Sequence, residues 1–128
     1  VKAPDYRCLI VDDSAAFCTA ARGVLEAAGM TVVGTVSTLA TAVEAAAVTR
    51  PDLILVDIDL SGESGFDVVE ALYDAKPEPR PAMILVSTHN EDDFADMVEA
   101  SSAIGFIPKF ELSAELITQT IARRGPRP

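Results

Sequence analysis

The chain has 128 residues, 49% hydrophobic but only 5% aromatic, and carries 20 acidic against 10 basic side chains for a net charge of −10. That length fits one domain, able to bury roughly 65–70% of its unfolded surface, and the charge disfavours direct binding of nucleic acid or anionic lipid by this chain alone. No apolar stretch reaches the ~20 residues of a bilayer span and the start lacks a signal-peptide core; Cys8 and Cys18, outside any C-x-x-C, read as reduced thiols, which fits a cytoplasmic location.

Short apolar runs alternate with helical patterns, the signature of repeated βα units. The first strand is predicted from Arg7 to Val11, followed by a helix with the stripe Phe17, Ala20, Ala21, Val24, Ala28 and a stop at Gly29. The second unit pairs Thr31 to Val36 with the stripe Leu39, Val43, Ala46 and closes at Pro51. The third pairs Leu53 to Val56 with Phe66, Val69, Leu72, and prolines from Pro77 to Pro81 break the chain after it. Ala82 to Val86 and the stripe at Met97 and Val98 make the fourth unit. Gly105 to Ile107 and the stripe Leu112, Leu116, Ile117, Ile121 make the fifth. Ser64 and Asn90 have the spacing of helix N-caps, and Arg123-Arg124 that of a basic helix end. These aliphatic strands suit an α/β fold: a flavodoxin-like, doubly wound, five-stranded parallel sheet of order 2-1-3-4-5 with five helices. Residues 1–124 form the domain, and 125–128 a tail or the start of a linker.

That order gathers the residues that follow four strands on one rim: Asp12 and Asp13, then Asp57, Ser87 and Lys109. Each acid alone reads as a helix cap. Together they repel one another and stay ionised only with a cation to share. All-oxygen ligands suit a hard divalent ion, Mg²⁺ where phosphate is also bound, with Asp12, Asp13 and Asp57 as ligands. A carboxylate between such an ion and Lys109 is placed to attack phosphorus, with Ser87 as a hydrogen-bond donor.

With the acid pair Asp12-Asp13, Asp57 ending Leu-Ile-Leu-Val, Ser87 after Met-Ile-Leu-Val, and Phe106 and Lys109 in Gly-Phe-Ile-Pro-Lys, the chain resembles the receiver domain of two-component response regulators over nearly its whole length. It is most similar in flavour to receivers preceding a LuxR/NarL-type helix-turn-helix output. The resemblance implies a signalling phosphoacceptor rather than an enzyme, taking a phosphoryl group onto Asp57 from a histidine kinase or phosphotransfer protein. It implies Mg²⁺, replaceable by Mn²⁺, held by Asp12, Asp13, Asp57 and the main-chain carbonyl of Asp59. Ser87 would move toward the phosphoryl group and Phe106 turn inward, remodelling the face of helix four, strand five and helix five. A homodimer is an open partner; DNA enters only through an output domain beyond this chain, and no membrane is implied.

Three features depart from the family pattern: Thr88 stands where Ala or Gly is usual, Pro108 precedes Lys109 rather than following it, and Asp59 and His89 occupy the positions that tune phosphoryl lifetime. Thr88 and the placement of Pro108 motivate a second reading, a pseudo-receiver acting as a phosphorylation-independent interaction module. A remote third is a haloacid dehalogenase-type phosphatase, whose Asp-x-Asp-x-Thr/Ser motif Asp57-Ile-Asp-Leu-Ser61 resembles.

Overall fold

In the computed structural model, which describes residues 6–76, 80–89 and 91–124, the apolar runs become one parallel sheet. β1 (Arg7–Val11), β2 (Thr31–Val36), β3 (Leu53–Asp57), β4 (Ala82–Ser87) and β5 (Gly105–Pro108) lie in the order β2-β1-β3-β4-β5, as expected. The central strand β3 is buried at every position because helices cover both faces of the sheet. α1 (Ala15–Ala27) and α5 (Ala114–Arg124) cover one face; α2 (Leu39–Thr49), α3 (Gly65–Asp74) and α4 (Ala95–Ala100) cover the other.

The strands' period of two divides the core between those faces. Leu9, Val11, Ile54, Val56 and Leu85 point toward α2 and α3, meeting Ala42, Ala46, Val68, Val69 and Leu72. Ile10, Leu53, Leu55, Ile84 and Val86 point the other way and meet Ala21 and Leu25 of α1 and Ile117 of α5. Emptying one such fully enclosed site, as in Leu55→Ala, costs about 2–5 kcal/mol.

Side-chain oxygens start the helices by taking orphan N–H groups. Ser14 accepts from the Phe17 N–H at 3.2 Å, Ser64 accepts from that of Phe66 at 3.1 Å, and Thr38 with Thr41 forms a reciprocal box at the start of α2.

The expected stripes shift in two helices. Ala20 and Val24 of α1 are exposed; Ala21 of the expected stripe is buried, and so is Leu25, one helical turn on, which was not on it. In α4, only six residues long, Met97 is 52% exposed and Val98 alone is buried. The predicted Asn90 cap and the tail at 125–128 lie outside the described residues. α4 follows Phe94, which makes no capping side-chain bond. Three strands run one residue past their expected ends, so Asp57 and Ser87 are final strand residues rather than loop residues. A short antiparallel pair, Asp59–Leu60 with Glu63–Ser64, was not anticipated; it occupies the connection from β3 to α3.

Candidate functional site

The register sets the strand ends level: Val11 pairs with Val56, Asp57 with Val86, and Ser87 with Pro108. The carboxyl edge of the sheet therefore carries Asp12, Asp57, Ser87 and Lys109 side by side. Asp12 continues β1 by donating its N–H to the Val36 carbonyl at 2.9 Å, and its Oδ1 accepts the Ser14 N–H at 2.8 Å, the local turn that opens α1. The helix-opening role thus takes one oxygen. The other, Oδ2, is buried and faces the Lys109 Nζ at 2.7 Å.

Lys109 reaches the acids from the turn after β5, its ammonium 4.5 Å from the centre of the Phe17 ring at the start of α1. It also lies 3.3 Å from Asp57 Oδ2, while Asp57 Oδ1 accepts the Asp59 N–H at 3.1 Å. Asp13 is exposed, and its Oδ2 accepts both the backbone N–H of Ser61, at 3.0 Å, and the Ser61 hydroxyl. One oxygen from each of Asp12, Asp13 and Asp57 lies within 4.8 Å of the others.

Two carboxylates share one ammonium with a third close by, and the charge balance shows in the proton affinities of Asp57, Asp13 and Lys109. Burial, helped by the charge of Asp12, raises the Asp57 carboxyl above the ordinary range despite the Asp59 N–H and Lys109. The Ser61 hydroxyl and N–H hold Asp13 below it. Burial pulls Lys109 down, but bonding and attraction to Asp12 and Asp57 outweigh it, so the ammonium is raised and stays charged. Asp12 Oδ2 is buried with the Lys109 ammonium at 2.7 Å as its charge partner and no other donor on it among the described residues. Three carboxylate oxygens gathered within 4.8 Å, with one ammonium against them, fit a hard divalent cation.

Ser87, 2% exposed at the end of β4, does not bond Asp57 among the described contacts; its Oγ accepts the His89 N–H at 3.0 Å and lies 3.4 Å from His89 Nδ1. Thr88 and His89 are exposed beyond it, and Asp59 is exposed at the start of the antiparallel pair. Phe106 is already turned in, 8% exposed, with its ring centre 6.5 Å from that of Phe94. Phe94 in turn meets Phe66 at 6.4 Å and the His89 ring edge-on at 6.0 Å, so one aromatic joins the loop after β4 to Phe106. A groove of about 610 Å³ opens beside this cluster, bordered by Leu39, Asp59, Phe66, His89, Phe94 and Met97.

Two residues missed by sequence reasoning shape the site. Gly65 starts α3 against the backbone of the site, where a Cβ would overlap the Asp57 carbonyl oxygen and come within 2.7 Å of Ile58 Cα. Ser61 holds Asp13 from 48 residues away. Ser64 reads in the sequence as a helix cap and Ser61 only as the end of the phosphatase-like motif, and neither reading shows what Ser61 and Gly65 approach.

Comparison with known proteins identifies the family and the fold. The model of the response regulator receiver domain matches residues 8–121. The DNA-binding transcriptional activator EvgA of Escherichia coli K12 is 26% identical over 103 residues, which are 80% of this chain and 50% of EvgA. The protein-glutamate methylesterase/protein-glutamine glutaminase of Natronomonas pharaonis is 30% identical over 103 residues, 80% of this chain and 28% of that protein. The chain thus spans about half the length of the first and under a third of the second. Among solved structures, a LuxR-family two-component response regulator from Aurantimonas superposes with TM-score 0.78 at 21% identity, over 93% of this chain and 84% of that one. The response regulator domain of Thermotoga maritima CheB does so with TM-score 0.77 at 23% identity, over 95% and 98%.

Proposed function

The chain belongs to the response regulator receiver domain family, and from that premise we propose that Asp57 accepts a phosphoryl group from a histidine kinase or histidine phosphotransfer protein and thereby switches a protein surface. The observation that carries the reading is the pairing of Lys109 with both Asp12 and Asp57 on one rim that also holds Asp13.

Asp12, Asp13 and Asp57, with the Asp59 main-chain carbonyl, are the residues that would hold Mg²⁺ or Mn²⁺. Such an ion, when bound, supplies positive charge against the oxygens of the transferring phosphoryl group. The chain's own residues do the rest. An Asp57 carboxylate oxygen attacks phosphorus, the P–N bond of the donor phosphohistidine breaks, and its electron pair returns to the imidazole, giving an acyl phosphate and a free histidine. Burial makes the Asp57 anion costly, and the acyl phosphate is more negative still, so the transfer depends on the positive charge beside it. Lys109 shifts from sharing two carboxylates to holding the phosphoryl oxygens beside Asp12.

Ser87 is the coupling group: its hydroxyl oxygen accepts the His89 N–H, and a turn toward the phosphoryl oxygens would strain or break that bond. That rearrangement pulls on the loop after β4, and Phe94 carries it to Phe106 and thus to the face of α4, β5 and α5. Asp59 and His89 border the groove beside the Phe66–Phe94 cluster and, with Thr88, follow the acceptor and Ser87 in the chain, from where they set access and lifetime.

Phosphorylation tests this reading against the pseudo-receiver, which keeps the fold but takes up no phosphoryl group. The phosphatase reading draws no support beyond its five-residue likeness, since the receiver model accounts for residues 8–121. Control of transcription, as the names of several relatives state for them, would be exerted through an output outside these residues.

A further inference from the structure

Ser61 donates twice to one atom: its backbone N–H and its hydroxyl both go to Asp13 Oδ2. Asp13 is exposed and sits in a cluster of three carboxylates, so repulsion and solvent would both draw it outward. Two donors on Oδ2 oppose that swing and hold the carboxylate beside the other two.

The donor itself is rigidly mounted. Ser61 and Gly62, the latter at φ 79°, form the two-residue turn of the antiparallel pair, in which Leu60 faces Glu63. Glu63 Oε1 accepts the Leu39 N–H at 2.8 Å, so the pair is tied to the start of α2 on one side and to Asp13 on the other. Leu60, 2% exposed, anchors it from beneath.

We infer that Ser61 is a positioning residue for the divalent cation, presenting Asp13 as a ligand before the ion arrives and so setting metal affinity; this rests on the metal reading of the acid cluster given above. Partners that orient a ligating carboxylate are worth roughly 10–100-fold in metal affinity. Ser61→Ala removes the hydroxyl and keeps the N–H, which puts its loss near the lower end of that range.

Calorimetric titration with Mg²⁺ at fixed ionic strength tests this without any phosphoryl donor, on the native chain, Ser61→Ala, Ser61→Thr, Asp13→Asn and the double variant Ser61→Ala/Asp13→Asn. The expected result is about tenfold weaker binding for Ser61→Ala, recovery in Ser61→Thr, and no further loss when Ser61→Ala is added to Asp13→Asn. The metal-free thermal midpoint of Ser61→Ala should stay at the native value. Native binding with an unchanged or tighter Ser61→Ala constant overturns the inference alone, as does a lowered metal-free midpoint with affinity intact, which would make Ser61 a structural tie. No binding by the native chain overturns the metal reading and this inference with it.

Discussion

Lys109 and Asp12 face each other at 2.7 Å with the Asp12 side chain wholly buried and that of Lys109 only 12% exposed. The same ammonium also serves Asp57, so one cation answers for two buried anions. Removing one partner of a buried pair leaves an uncompensated charge and costs about 3–5 kcal/mol.

Lys109→Met should therefore lose roughly 3 kcal/mol of stability in EDTA and regain much of it on adding Mg²⁺. Its Mg²⁺ affinity should be at least native, because a competing positive charge is gone. Urea unfolding with and without Mg²⁺ measures both, and a variant as stable as native in EDTA would show that the pair contributes nothing. The phosphorylation-dependent change at Phe106 should be lost, as followed by NMR.

Asp57→Asn should be more stable than the native chain in EDTA near neutral pH. The Asp57 carboxyl is raised above 3.8 in the fold, chiefly by burial. The folded state therefore holds its proton more tightly than the unfolded state, and ionisation costs stability as pH rises through the folded value. The advantage of the variant should be full at neutral pH and vanish below the unfolded value of 3.8. Thermal midpoints across that pH window check it; a variant less stable at every pH would mean that the carboxylate is a net stabiliser.

Gly65→Ala should cost about 3 kcal/mol or more and impair the acid site together with the fold. The added methyl overlaps the carbonyl oxygen of Asp57 itself, and backbone cannot yield as a side chain can. Gly23→Ala, on the exposed side of α1 where nothing lies within 4 Å of the new methyl, should be stabilising by about 1 kcal/mol. Denaturant midpoints of the two variants separate crowding at the site from ordinary helix propensity.

Neither thiol should behave as a reactive cysteine. Burial pushes Cys8 up to about 12, against the weaker opposing effect of the Leu55 backbone, and burial also raises the half-buried Cys18. Because the fold holds the Cys8 proton more tightly, its contribution to stability is full below 9.0 and is lost as pH rises from there toward about 12. A chromogenic thiol reagent at about pH 8 should label Cys18 slowly and Cys8 only on unfolding. Rapid labelling of Cys8 in the native chain would contradict its enclosure.

Much of the sheet was legible because the cause is local. Leu53 to Val56 has no polar residue, so a strand covered on both faces follows, and the crossover rule then brings Asp12 beside Asp57. Lys109 and Ser87 were placed on the rim by the same reasoning. What escaped depends on contacts distant in sequence. Ser61 looks like a turn residue until the fold sets it against Asp13, 48 positions away, and Gly65 looks like a helix start until its missing side chain admits the backbone of Asp57. Val24 and Met97 failed for a related reason, since short apolar spacings in α1 and α4 admit more than one stripe, and packing against the sheet takes Leu25 in place of Val24 and, of the expected pair in α4, Val98 alone.

The most direct test of phosphoryl transfer to Asp57 is intact mass after incubation with acetyl phosphate and, separately, phosphoramidate, each with and without Mg²⁺, beside an Asp57→Ala control. A gain of one phosphoryl group that requires Mg²⁺ and is absent from the folded control is the predicted result. No gain with either donor, or a gain that persists in Asp57→Ala, would contradict it and leave the chain a receiver fold working by contact alone.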